Sequence, residues 1–299
     1  MSDTALLFRS VRAARSWVQA GAGGLGASTA AGCVTMKPGN DEPPVFVIPG
    51  ATGSILQLAP LASAMTVPMP VYAVRPRGIA QGETPCETLA EMAEHTIAVM
   101  MAARPAGPYL LVGYSAGGLV ALEAARQLAA TGHEVPLVVL LDTYPSRATW
   151  PLGCHLEILG RQAVRACGAL RRCTPRHAAT EVTRRLRSLL HYLSASGVRL
   201  VAPPPVVAEG TDAASRRVHL ATYDAGEAYR PVRYAGKVVF LQPAEVPNLE
   251  PRRPERVWGQ FLENLVIRRV PGSHLGMMEQ GVAGTAAEIG NCLAEARSG

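Results

Sequence analysis

Residues 109–118, YLLVGYSAGG, limit what this chain can fold into more than any other stretch. Mostly apolar residues run into a serine with glycine two positions before it and two after it, and residues 119–130 then read as a helix rich in alanine and leucine. The order is strand, sharp turn, helix. In a G-x-S-x-G turn of this kind the serine takes a strained backbone conformation, so only small neighbours fit at Gly113 and Gly117. Its hydroxyl is lifted clear of the sheet, and the N–H of Ala116, at the start of the helix, points to where an oxyanion would form. The bare spacing also occurs by chance in ordinary strand-to-helix turns. The apolar strand before it and the helix after it supply the context that favours a nucleophile turn at Ser115.

Around this element the chain alternates strands and helices. Residues 45–48 form a short buried strand by their β-branched and aromatic content, followed by the turn Pro49-Gly50-Ala51-Thr52-Gly53 and a helical pattern over 55–65. A phosphate loop would need G-x-x-x-x-G-K-[ST], and no lysine follows. In a serine hydrolase the same loop supplies a second oxyanion N–H, here that of Ala51. A strand at 71–75, an amphipathic helix over 88–103, the serine turn, and an apolar strand at 137–141 ending in Asp142 continue the pattern. It predicts an α/β fold with a mostly parallel sheet covered by helices on both faces, with ligands beyond the carboxyl ends of the strands. The alternation lapses over about 146–230, a helical, arginine-rich stretch that would lie over the site as a lid. The sheet resumes at 238–241 and 265–270, the latter running into Pro271-Gly272-Ser273-His274, and a last helix is expected over 282–296. Before all this, residues 4–19 read as a helix and 20–41, rich in Gly, Ala and Ser, as a linker, so residues 1–43 stand apart from a domain over 44–299.

Composition narrows the class. With 299 residues, 48% of them hydrophobic, the chain has ample material for a core. No apolar run is long enough to span a membrane, and the charges at Asp3, Arg9, Arg12 and Arg15 are unlike a signal peptide, so the expected location is cytoplasmic. The six cysteines show neither C-x-x-C nor metal spacing, and no metal or bound cofactor is expected. The net charge of +6 is concentrated between Arg161 and Arg187, where Glu181 is the one acid. That run reads either as a solvated helical face or as a surface for an acidic partner; no nucleic-acid motif accompanies it.

A serine hydroxyl near neutral pH needs a base within hydrogen-bond reach and a carboxylate behind the base. Of seven histidines, His274 stands in a loop after the last strand, at the same carboxyl edge as Ser115, while the other six fall in helices or surface connections. Two carboxylates compete for the third place: Asp142, directly at the end of its strand, and Glu245, several residues into the loop after 238–241. The order Ser, acid, His holds for both, and the position at the strand end favours Asp142.

With these residues in place, the chain resembles the thioesterase domains that release products from nonribosomal peptide and polyketide synthases, within the α/β-hydrolase superfamily. The resemblance rests on FVIPGATGS at 46–54, VYAVRPRG at 71–78, LLVGYSAGGLVALEAARQL at 110–128, VVLLDTYP at 138–145, YRPVRYAGKVVFLQ at 229–242 and VPGSHLGMME at 270–279. It implies an α/β-hydrolase fold with a helical lid over about 146–230, Ser115 as nucleophile, His274 as base, Asp142 as acid, and oxyanion amides at Ala51 and Ala116. The implied substrate is an acyl or peptidyl chain on the phosphopantetheine of a carrier protein, released by hydrolysis or macrocyclisation in antibiotic-type biosynthesis. Tyr114 and Ala116 around the serine look more like the product-releasing domains than the stand-alone editing enzymes. Ser273 and Leu275 depart from the family, which often has an acidic residue and an aromatic there. The alternatives are an oxoester hydrolase or lactonase of the same fold, or a non-catalytic binding module. No synthase or carrier sequence accompanies the domain, so the chain is expected to act in trans or to be an excised piece.

Overall fold

The computed structural model describes residues 28–30, 32–170 and 211–298. The expected helix over 4–19 lies outside them. Eight strands form one sheet: β1 (Ser28–Ala30), β2 (Cys33–Lys37), β3 (Val45–Ile48), β4 (Val71–Val74), β5 (Leu110–Tyr114), β6 (Leu137–Leu141), β7 (Tyr234–Pro243) and β8 (Leu262–Val270). Their spatial order is β1-β2-β4-β3-β5-β6-β7-β8, antiparallel at β1/β2 and β2/β4 and parallel from β4 to β8. The expected mostly parallel sheet is therefore present.

The linker expected over 20–41 is corrected by β1 and β2. Gly32, at φ +89°, makes the turn between them, and Cys33, Val34 and Thr35 pair with Val74, Ala73 and Tyr72 of β4. Their Gly- and Ser-rich setting hides β2, whose stability comes from ladder bonds to β4, a partner far along the chain, and not from its own β-propensity. Domain structure thus begins before residue 44.

The period-2 pattern of the central strands sorts side chains to two cores. Val45, Val47, Leu110, Val112, Leu137, Val139, Val239 and Leu241 face α1 (Ala59–Ala64) and the last helix, reached through Leu61, Met65, Ile289 and Leu293. Phe46, Ile48, Leu111, Val138, Leu140, Val238 and Phe240 face α2 (Leu89–Ala103) and α3 (Ala116–Ala130). Each of these large side chains, fully withdrawn from water, contributes about 2 kcal/mol before the entropy of ordering it. The α2 helix starts where the Thr88 side chain caps it, accepting from the Glu91 N–H at 3.2 Å.

Between β6 and β7 the chain leaves the sheet, as the lapse in alternation predicts. Among the described residues this interval holds α4 (Leu152–Leu170) and α5 (Ala213–Ala228). A short α6 (Glu255–Trp258) precedes β8, and α7 (Val282–Ser298) is the last helix. Among the described residues no helix is long and apolar enough to cross a membrane.

Candidate active site

The parallel strands set the site by their common end. Tyr114 pairs with Leu141, and Leu141 with Leu241, so the residues after β5 and β6, Ser115 and Asp142, leave adjacent strands at one level. Ser115 has φ 53° and ψ −125°, a conformation that costs about 1 to 3 kcal/mol for a residue with a side chain. Bonds on both sides hold it: its N–H donates to Leu141 O at 2.9 Å, and the Thr143 hydroxyl donates to its carbonyl at 3.0 Å. Asp142 also lies at positive φ, 45°, with its N–H bonded to Leu241 O at 3.0 Å. The turn needs its glycines. A Cβ on Gly113 would lie 2.4 Å from Gly118 Cα, and one on Gly117 would lie 2.2 Å from Pro49 O.

His274 follows β8 and reaches across the end of β7. Its Nδ1 lies 2.8 Å from Asp142 Oδ2, and the Asp142 side chain is 2% exposed against 35% for the imidazole. A donor at Nδ1 leaves Nε2 with the lone pair. Tyr114 supports the histidine from beneath: the rings stack at 5.0 Å between centroids, and the phenol donates to His274 O at 3.0 Å. Burial lowers the histidine's proton affinity. The hydrogen bond and charge of Asp142, with the charge of Glu250, outweigh it and raise the pKa above the ordinary histidine value.

Ser115, Asp142 and His274 line one cavity of about 280 Å³, together with Ala51, Ala116, and Thr222, Tyr223, Gly226 and Glu227 of α5. The five site residues read from the sequence thus meet in one place. Glu245 does not join them: exposed, it lines a separate depression beside Pro271 and Ser273, while its N–H braces the histidine loop at Gly272 O, 2.9 Å away. Among the described residues, no other histidine lines the cavity and no three of His, Cys, Asp or Glu gather as metal ligands would. Of the arginine run, Arg161 and Arg165 stand on α4, and the rest lies outside the described residues. Sequence reasoning missed Glu250 in the loop after β7, Tyr223 and Glu227 on α5, and the brace from Tyr114. No spacing marks them, because each reaches the site through the fold of its loop or helix.

A family model for the thioesterase domain matches residues 43–290. The chain belongs to the thioesterase domain family. Its hydrolase character follows from that membership and from the thioesterases it resembles in structure. This thioesterase domain is 38% identical over 111 residues to a dimodular nonribosomal peptide synthase of Bacillus subtilis, a match over 37% of this chain and 5% of that protein. It is 41% identical over 104 residues to the nonribosomal peptide synthetase atqA of Aspergillus terreus, over 34% of this chain and 11% of that protein. The chain thus spans a small part of these curated relatives. Among solved structures, the NocB thioesterase domain from the nocardicin cluster superposes with a TM-score of 0.58 at 25% identity, covering 84% of this chain and 93% of that one.

Proposed function

We propose that this thioesterase domain releases an acyl or peptidyl chain from a phosphopantetheinyl carrier protein through an acyl-Ser115 intermediate, in natural-product biosynthesis. The observation that carries the reading is the 2.8 Å contact between Asp142 and His274 in the cavity that Ser115 also lines. Ser115 Oγ attacks the thioester carbonyl carbon while its proton passes to His274 Nε2. Asp142 keeps the ring in the required tautomer and stabilises the imidazolium. The N–H groups of Ala51 and Ala116 receive the oxyanion. As the C–S bond breaks, the imidazolium returns its proton to the departing thiolate, leaving an acyl-serine and a free thiol. Water then gives an acid, or a hydroxyl or amine of the acyl chain gives a ring, with His274 again taking the proton. The helices between β6 and β7 act as the lid; α5 supplies one wall of the cavity.

The relatives are synthases, which supports a carrier protein as the partner. The arginine-rich sequence over 161–187 carries the positive charge that an acidic face on such a carrier would complement. The test of the nucleophile is intact mass after mixing with a carrier-bound acyl thioester: an acyl adduct is expected on the wild-type chain and none on Ser115→Ala. An undiminished adduct on the variant would overturn the assignment.

A further inference from the structure

The loop between β7 and α6 carries a carboxylate that the steps above do not use. Glu250 lines the same cavity as Ser115 and His274, and its Oε2 is buried with no hydrogen-bond partner among the described residues. Three contacts from three elements hold the loop over the site. The Tyr144 hydroxyl donates to Pro251 O at 3.2 Å, and Gln242 Nε2 of β7 donates to Arg252 O at 3.2 Å. Arg161 of α4 donates to the carbonyl of Glu250 itself at 2.5 Å. The loop backbone that carries Glu250 is therefore held in place, and the insertion helix is one of the supports.

The charged and titratable groups around it are Asp142 and Tyr144 after β6, Arg147 in the short turn beyond them, His274 after β8, Arg161 on α4, and Glu227 across the cavity on α5. Burial and the nearby Asp142 raise the Glu250 pKa, while His274 and Arg147 pull it down, leaving it at about 7. In return, Glu250 raises the proton affinity of His274, after the larger effects of burial and Asp142. A carboxylate in this state is poorly stabilised with the ring neutral and better stabilised when the ring is charged, the condition that arises as Ser115 loses its proton.

We propose that Glu250 is a second acidic positioning residue of the site, acting through His274 by favouring the imidazolium that forms while Ser115 attacks. The proposal rests on His274 being the base of the reaction described above.

The experiment compares wild type, Glu250→Gln and Glu250→Asp in two measurements. The first is the NMR titration of the His274 ring; the second is the pH dependence of kcat/KM on a small soluble acyl thioester. Losing a nearby negative charge destabilises the imidazolium, so Glu250→Gln is expected to titrate its ring about one unit lower, with the acid limb of kcat/KM moving down by the same amount. On the plateau above both limbs, kcat is expected to fall about three- to tenfold with KM little changed, and Glu250→Asp to recover part of the loss. A ring titration and an acid limb that coincide with wild type in a folded Glu250→Gln overturn the proposal. The ring is read without substrate. A protein that cleaves no thioester yet shows the shift therefore overturns the functional reading and leaves the coupling of Glu250 to His274 standing.

Discussion

Gly117→Ala tests whether the serine turn and the loop after β3 are held at contact distance. The added Cβ would lie 2.2 Å from Pro49 O, 2.6 Å from Ile48 O and 2.8 Å from Pro49 C. A carbon and a carbonyl oxygen need about 3.3 Å, so the α3 start and the end of β3 must separate by about 1 Å. All three atoms are backbone, so no side chain can rotate away. Overpacking of this kind costs about 3 kcal/mol. For a chain of this length that corresponds to a fall in Tm of about 5 °C. The same 1 Å separates Ala51 from Ser115, and misplacement on that scale costs about 100-fold in kcat. Calorimetry and thioester turnover well below the lowered Tm measure the two effects. Gly160→Ala is the control: it lies in α4 with no atom within 4 Å of the added carbon, so stability should hold or rise by up to about 1 kcal/mol. A Gly117→Ala protein within about 2 °C and twofold of wild type would refute the close-contact account of the turn.

The brace under the histidine and the arginine run make separate predictions. Tyr114→Phe removes the donor to His274 O while keeping most of the stacking surface, so kcat should fall about three- to tenfold with KM nearly unchanged and stability should drop about 1 kcal/mol; unchanged kinetics would mean that the loop needs no brace. Reversing charge at Arg165, Arg171 and Arg172 should weaken turnover of carrier-bound thioesters about tenfold and leave small soluble thioesters unaffected, and equal loss on both substrates would remove the docking role from these arginines.

Much of the sheet was legible because its strands are buried on both faces. Residues 45–48, 110–113 and 137–141 carry no polar side chain, and such runs between helices have few other uses. Ser115 was legible for a different reason: the chemistry of its turn is local, with glycine required two residues away on each side. Strands β1 and β2 were not legible, since the pairing of β2 with β4 is a long-range fact and the composition of both resembles a linker. The choice between Asp142 and Glu245 leaned on distance from the strand end, and the reason it holds is geometric. The turn at positive φ after β6 aims Asp142 at the ring, while the loop after β7 carries Glu245 outward and brings Glu250 in.

Sequence by itself determined the parallel core, the strained serine and the short list of partners it could have, because hydrophobic period and turn chemistry act over a few residues. Tertiary structure alone decided which carboxylate meets His274, that Tyr114 supports the ring, and that a second acid from a distant loop shares the cavity. Those contacts join residues up to 160 positions apart, and the energy that selects them comes from burial and charge in the assembled site, which no local pattern encodes.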